Sequence, residues 1–149
     1  ALQAETLLKA KNTLTQKLMG GMGSVCVEMS FENMQPGQVA GLTFLTGREE
    51  NWIGVVCDEK GFVLEAVTGQ VRYHGPRLSG STVWFQASIN LSGTTLFSFS
   101  VDNERFVEFA GPCTLCPGFW KGARIALFSY NTLTDGGCAD FRNFQYNID

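Results

Sequence analysis

Lys121-Gly122-Ala123-Arg124-Ile125-Ala126-Leu127-Phe128-Ser129-Tyr130, followed by Gly136-Gly137-Cys138-Ala139-Asp140-Phe141, decides how this chain is read. The two segments read as neighbouring β-strands at the end of an all-β domain, joined by a Gly-rich turn. Phe119-Trp120 stands just before the first strand, where a loop is expected. That loop is the first place to look for a function, since no evident set of catalytic groups lies near it.

The same pattern continues through the rest of the chain. Val25, Val27, Met29 and Phe31 alternate with Ser24, Cys26, Glu28 and Ser30, and Phe97, Phe99 and Val101 alternate with Ser98 and Ser100. A period of two buries one face of a strand and exposes the other. Further strands are expected at 12–18, 39–45, 52–57, 62–67, 82–91, 124–130 and 139–146. Turn signals separate them: Pro36-Gly37, Lys60-Gly61, Thr68-Gly69, Ser92-Gly93, Asp102-Asn103 and Asp135-Gly136-Gly137. Residues 5–11 suit a short helix or a frayed strand, and a strand beginning near Leu7 is the favoured expectation. Strands at this spacing, with little helical periodicity, indicate one sandwich or barrel over residues 1–149.

Composition narrows the function classes. A chain of 149 residues with 44% hydrophobic content can build a real core. A net charge of -3 gives no electrostatic footprint for nucleic acid. No run of about 18 apolar residues exists, so no spanning helix and no membrane partner are expected. Ala1-Leu2-Gln3-Ala4-Glu5 lacks the basic and apolar regions of a secretory signal. The five cysteines, Cys26, Cys57, Cys113, Cys116 and Cys138, are odd in number and lack framework spacing. They point to free thiols and a reducing, cytoplasmic compartment. Cys113-Thr114-Leu115-Cys116 has the spacing of half a zinc site or a redox pair. The single histidine, His74, leaves a zinc site short of ligands, and Pro117-Gly118 follows where a redox pair would open a helix. No metal and no cofactor are expected.

Carboxylates offer little chemistry. Glycoside hydrolysis needs two, set on opposite sides of a bond. Asp58-Glu59, Asp102, Glu104 and Glu49-Glu50 fall in turns or loops, where solvation explains them. Asp140 lies inside a strand and is expected to be partly buried or hydrogen-bonded, in a structural role. His74 reads as a surface histidine without a nucleophile motif, and Gly20-Gly21-Met22-Gly23 lacks the lysine of a phosphate cradle. Catalytic residues: none. Aromatics remain, since a ring can pack on the apolar face of a sugar. Trp52 and Trp84 occupy strands and lean towards the core, yet with Tyr73 they are candidate sugar contacts. Phe119 and Trp120 are adjacent, so both cannot face inward on a regular strand.

These segments, taken together, resemble a known module. Ala10-Lys11-Asn12-Thr13-Leu14-Thr15-Gln16-Lys17 is similar to the Ala-Arg-Asn-Thr-Leu-Thr-Gln-Arg segment in the C-terminal domain of glycoside hydrolase family 43 β-xylosidases. Asn33-Met34-Gln35-Pro36-Gly37-Gln38-Val39-Ala40-Gly41-Leu42 resembles that module's Met-x-x-Gly-Asp-x-Ala-Gly-Leu segment. Trp52-Ile53-Gly54-Val55, Phe97-Ser98-Phe99-Ser100-Val101-Asp102, 122–130 and 136–141 also fit. The matches are collinear and cover nearly the whole chain.

The resemblance implies a concanavalin A-like sandwich of two antiparallel sheets, a jelly roll. In that family the sandwich packs on a catalytic β-propeller that holds the catalytic carboxylates, and it lends a loop with an aromatic residue to close the substrate pocket. Phe119, with Trp120 as second choice, inherits the lid role, and xylo-oligosaccharides or arabinofuranosyl side chains are the implied substrates. The chain departs from the family in two ways. The family module usually has a further N-terminal strand segment, so a fragment lacking its first strand is one expectation. The Cys113 to Pro117 loop is also unusual for the family. Two other readings compete: a free-standing, lectin-like carbohydrate-binding module, and an independent sandwich glycanase. The glycanase would need a Glu-x-Asp-x-x-Glu pattern, which this sequence lacks.

Overall fold

The computed structural model describes residues 1–46, 49–115 and 122–149. Its strands are β1 (Leu2–Gln3), β2 (Thr13–Lys17), β3 (Met22–Ser30), β4 (Gln38–Leu45), β5 (Glu50–Asp58), β6 (Gly61–Gly69), β7 (Val71–Leu78), β8 (Thr82–Asn90), β9 (Thr94–Ser100), β10 (Val107–Glu108), β11 (Cys113–Thr114), β12 (Arg124–Asn131) and β13 (Asp140–Ile148). They form two sheets. The first runs β1-β12-β4-β5-β6-β7, with β2 also on β12; the second runs β10-β9-β8-β3-β13, with β11 on β9. Pairing is antiparallel except between β1 and β12. The expected two-sheet antiparallel sandwich is what forms.

Alternation in sequence becomes alternation in space. Val25, Val27 and Met29 of β3 and Val83, Phe85 and Ala87 of β8 point inward from the second sheet. Ala40, Leu42 and Phe44 of β4 and Ile53 and Val55 of β5 meet them from the first. Phe44 and Phe97 bring their rings within 5.6 Å of each other across this interior. Such a pleated apolar interface is the main source of folding free energy in a sandwich.

The first sheet is also covered on its outer face. The opposite phase of β4, β5, β6 and β12 presents Val39, Trp52, Val67, Phe128 and Tyr130, which form a second buried cluster with Leu7. Leu7 lies in a 3-10 turn, Leu7–Lys9. The strand expected near Leu7 is therefore replaced by a single tight turn. Leu7, the buried one of its two leucines, caps Trp52 and its neighbours, a role that a local pattern cannot reveal. Trp52 and Phe128 meet edge to face at 5.7 Å, and the Arg72 guanidinium sits 5.7 Å from the Trp52 ring centre. Burial pushes the Tyr130 hydroxyl up to about 12. Two facing glycines allow this packing: a Cβ on Gly41 would fall 2.1 Å from the Ile53 carbonyl oxygen, and one on Gly54 2.3 Å from that of Ala40.

Two further expectations change. β12 and β13 are not neighbours: β12 belongs to the first sheet and β13 to the second. The intervening segment crosses between sheets instead of closing a hairpin, with Gly136 and Gly137 at positive φ. Asn131 organises the start of this crossing, where its Oδ1 accepts from the amides of Leu133 (2.9 Å) and Thr134 (3.2 Å). β7 is a strand that the alternation missed. It carries Gly75-Pro76 and lies at the sheet edge, where a register shift accommodates the proline.

Both apolar layers should matter to stability. Phe85→Ala in the inner layer and Trp52→Ala in the outer one are each expected to lower unfolding free energy by about 3–5 kcal/mol. Chemical denaturation measures both. A loss for Trp52→Ala no larger than that of a surface substitution would show that the outer layer contributes nothing.

Candidate functional site

The aromatic pair Phe119 and Trp120 lies outside the described residues. The described residues on either side locate the ends of their loop. Leu115 is buried and follows β11, which pairs with β9 of the second sheet. Gly122 has φ +70 and precedes β12 of the first sheet. The loop thus connects the two sheets. Arg124, the first residue of β12, faces Leu45 of β4 and Lys17 of β2, and its guanidinium donates to Thr15 Oγ1 at 3.2 Å.

The other aromatic candidates separate clearly. Trp52 is fully buried and presents no ring face to a sugar. Its strand alternates so that the indole faces the second apolar cluster, and its Nε1 donates to Glu50 Oε2 at 3.4 Å. Tyr73 is half-buried against the inner core. Trp84 is half-buried too, but on the outward phase of β8, between inward Val83 and Phe85. Its neighbours across the strands are Glu28 of β3 and Ser100 of β9. Of the three, Trp84 alone lies on an outer sheet face outside both buried clusters.

Sequence reasoning missed one polar constellation. Glu65 is buried on the outward phase of β6, where it accepts from Arg72 Nη1 at 2.7 Å, and its other oxygen lies 3.0 Å from His74 Nδ1. The signal was an acidic residue inside the apolar run Phe62-Val63-Leu64-Glu65-Ala66-Val67. His74 is the surface histidine that the sequence suggests, but it is not isolated, since it pairs with Glu65. An ion pair with Arg72 suits a structural clamp over Trp52, since acid–base hydrolysis needs two carboxylates flanking a bond.

The remaining acidic candidates also serve structure. Asp58 takes a two-pronged contact from Arg77, at 2.6 and 3.0 Å, and accepts from the Lys60 amide at 2.8 Å. The Arg77 contact holds its carboxyl down to about 2. Asp102 accepts from the amides of Glu104 and Arg105, each at 2.9 Å, and from Ser100 Oγ at 2.8 Å; these amides likewise hold it at about 2. Asp140 is exposed, contrary to expectation, because β13 is an edge strand and points it outward. Among the described residues, no group of three or more His, Cys, Asp or Glu could hold a metal. Cys26, Cys57, Cys113 and Cys138 are free, and burial pushes the Cys113 thiol up to about 11, the opposite of what a redox thiol needs.

Comparison with known proteins identifies the architecture. Residues 2–147 match the family model of the beta xylosidase C-terminal concanavalin A-like domain, and the chain belongs to that family. It is 32% identical over 146 residues to a beta-xylosidase of Formosa agariphila, an alignment that takes 95% of this chain but only 24% of that protein. A bifunctional GH43-CE protein of Bacteroides eggerthii superposes with a TM-score of 0.90 at 25% identity, over 100% of this chain and 20% of that one. A GH43 glycoside hydrolase, engineered to display both endo-xylanase and exo-arabinofuranosidase activity, superposes with a TM-score of 0.90 at 20% identity, over 100% of this chain and 33% of that one. The chain therefore spans a third or less of the length of these relatives.

Two expectations follow from the site's chemistry. Asp58 and Asp102 sit below their ordinary value of 3.8 in the folded state, so their stabilisation is complete above that value and is lost as pH falls through about 2. Asp58→Asn and Asp102→Asn should each flatten the acid limb of the stability profile between about pH 4 and 2. Acid limbs of equal slope in wild type and variants would refute this. With a thiol pushed up to about 11, only about one Cys113 in a thousand is thiolate at pH 8. Native alkylation read by mass spectrometry should label exposed Cys138 long before Cys113; the reverse order would restore a redox role.

Proposed function

We propose that this chain is the non-catalytic accessory sandwich of a family 43 glycoside hydrolase, and that it helps close the pocket of a catalytic β-propeller in the same polypeptide. The whole-chain match to a C-terminal domain carries the reading, since such a domain belongs with a catalytic domain. The carboxylate chemistry supports it. Asp58, Glu65 and Asp102 are each engaged by partners that organise turns or strands. In this reading the propeller supplies the catalytic acid and base, and Phe119, with Trp120 as second choice, supplies a ring that packs against the bound sugar. The substrates are xylo- or arabino-oligosaccharides, the class in which the relatives' names place their own activity. Trp84 is a subsidiary sugar contact on the outer face of the second sheet. On the odd cysteine count, the same reading keeps the protein in a reducing, cytoplasmic compartment.

The test is Phe119→Ala and Trp120→Ala in the full-length protein. Truncating a ring that packs on substrate removes roughly 1 to 3 kcal/mol of apolar contact. If that contact persists in the transition state, kcat/KM falls about five- to hundred-fold. Melting temperature should drop less than for Phe85→Ala. Unchanged kinetics in both variants, with a large loss of stability, would mean that these rings are core and that the lid role is mistaken.

A further inference from the structure

One side of the sandwich is open. A cleft of about 680 Å³ runs between β2 and β12 of the first sheet and β13 of the second. A hollow of about 210 Å³ continues it towards Gln16 and Ile125, and Leu14, Leu127 and Phe144 line both. Among the described residues, β2 pairs only with β12 and β13 only with β3, so each leaves a backbone edge without a strand partner there. Leu14 is 73% exposed there and Phe144 39%. Phe144 sits where the β13 register shifts, beside Asn143 at φ +52. Proteins ordinarily cover, charge or shorten such edges, and grouped apolar side chains on a surface mark a contact site.

The path of the chain indicates what covers this groove. The backbone nitrogen of Ala1 donates to the Gly137 carbonyl, and the Gly136 amide donates to the Ala1 carbonyl at 3.0 Å. Gly137 is two residues before Ala139, which lines the cleft. The chain thus enters the sandwich at one end of the groove. The hollow's far end, at Gln16 and Ile125, lies within a few residues of Gly122, where the 116–121 segment rejoins β12. The matched family is a C-terminal domain, and the chain spans 24% of the Formosa agariphila relative, so in such a protein most of the polypeptide precedes this module.

We propose that this groove is the seat of the polypeptide that precedes Ala1 in the full-length protein, with Leu14 and Phe144 as its apolar anchors. The inference rests on the reading of the chain as a C-terminal module, and it adds where the rest of the protein is held. A body seated there would start at the chain entry and end beside the base of the Phe119-Trp120 loop.

Hydroxyl-radical footprinting of the full-length protein, read by mass spectrometry at a low and a high protein concentration, tests this. Leu91 and Val101 serve as internal references; Leu91 is on the β8–β9 turn and Val101 just beyond β9, and neither lines the groove. Leu14 is more exposed in this module than Leu91, which is 42% exposed. In the full-length protein Leu14 should nonetheless oxidise several-fold more slowly than Leu91, and Phe144 should be similarly protected, at both concentrations. Leu14→Asp with Phe144→Asp should then raise the radius of gyration in solution scattering, while Val101→Asp leaves it unchanged. Protection only at high concentration would assign the groove to a second copy and overturn the proposal. Free oxidation of Leu14 and Phe144 would also overturn it. In that case, protection elsewhere on the sandwich would leave the accessory reading standing, and protection nowhere would sink both.

Discussion

The structure depends on burial of the first sheet on both of its faces. Within β4 and β5, Leu42, Phe44 and Ile53 press against the second sheet, while Val39 and Trp52 press outward into the cluster capped by Leu7. A sheet covered on both faces cannot use polar alternation, and the burial of β4 is nearly continuous for that reason. Register then follows from packing, since a slip of one residue would exchange the two apolar sets. The glycine pair Gly41 and Gly54 belongs to the same constraint, as side chains there would meet backbone of the neighbouring strand.

This double burial sorts the chain's surfaces. The second sheet is apolar on one face only, and its outer face carries Trp84 among polar residues such as Glu28 and Ser100. The polar groups of the first sheet are absorbed into its own architecture. Gln38 is fully buried, yet its amide donates to Ser129 Oγ at 2.9 Å and its oxygen accepts from the Gln35 amide at 3.1 Å. Glu65 holds Arg72 and His74, and Arg72 lies over Trp52. Among the described residues, what stays open is the side between β2 and β13.

The legible parts of the fold were those where one residue type decides one local outcome. Alternation in β3 and β8 and the turn glycines marked strands and their ends, because a strand with one wet face must repeat every two residues. β7 escaped because Pro76 and its charged neighbours suit an edge, and edge position is a property of the sheet. Leu7 escaped because a single 3-10 turn has no periodicity to mark which of Leu7 and Leu8 is buried. The Glu65 constellation was half legible: an acid inside an apolar run asks for a partner, but Arg72 and His74 come from the next strand.

By itself, the sequence determined the class of this protein. Its alternation and turn residues pointed to a sandwich or barrel, and its segments resembled a family module in order, because these features are local. Only the tertiary structure decided that β12 and β13 belong to opposite sheets, that Trp52 is sealed while Trp84 stays on an outer face, and that Leu14 and Phe144 line one open groove. Each of these depends on which strands become neighbours. That choice is set by how two apolar sheet faces and one outer cluster can all be buried at once, a condition that no single stretch of sequence contains.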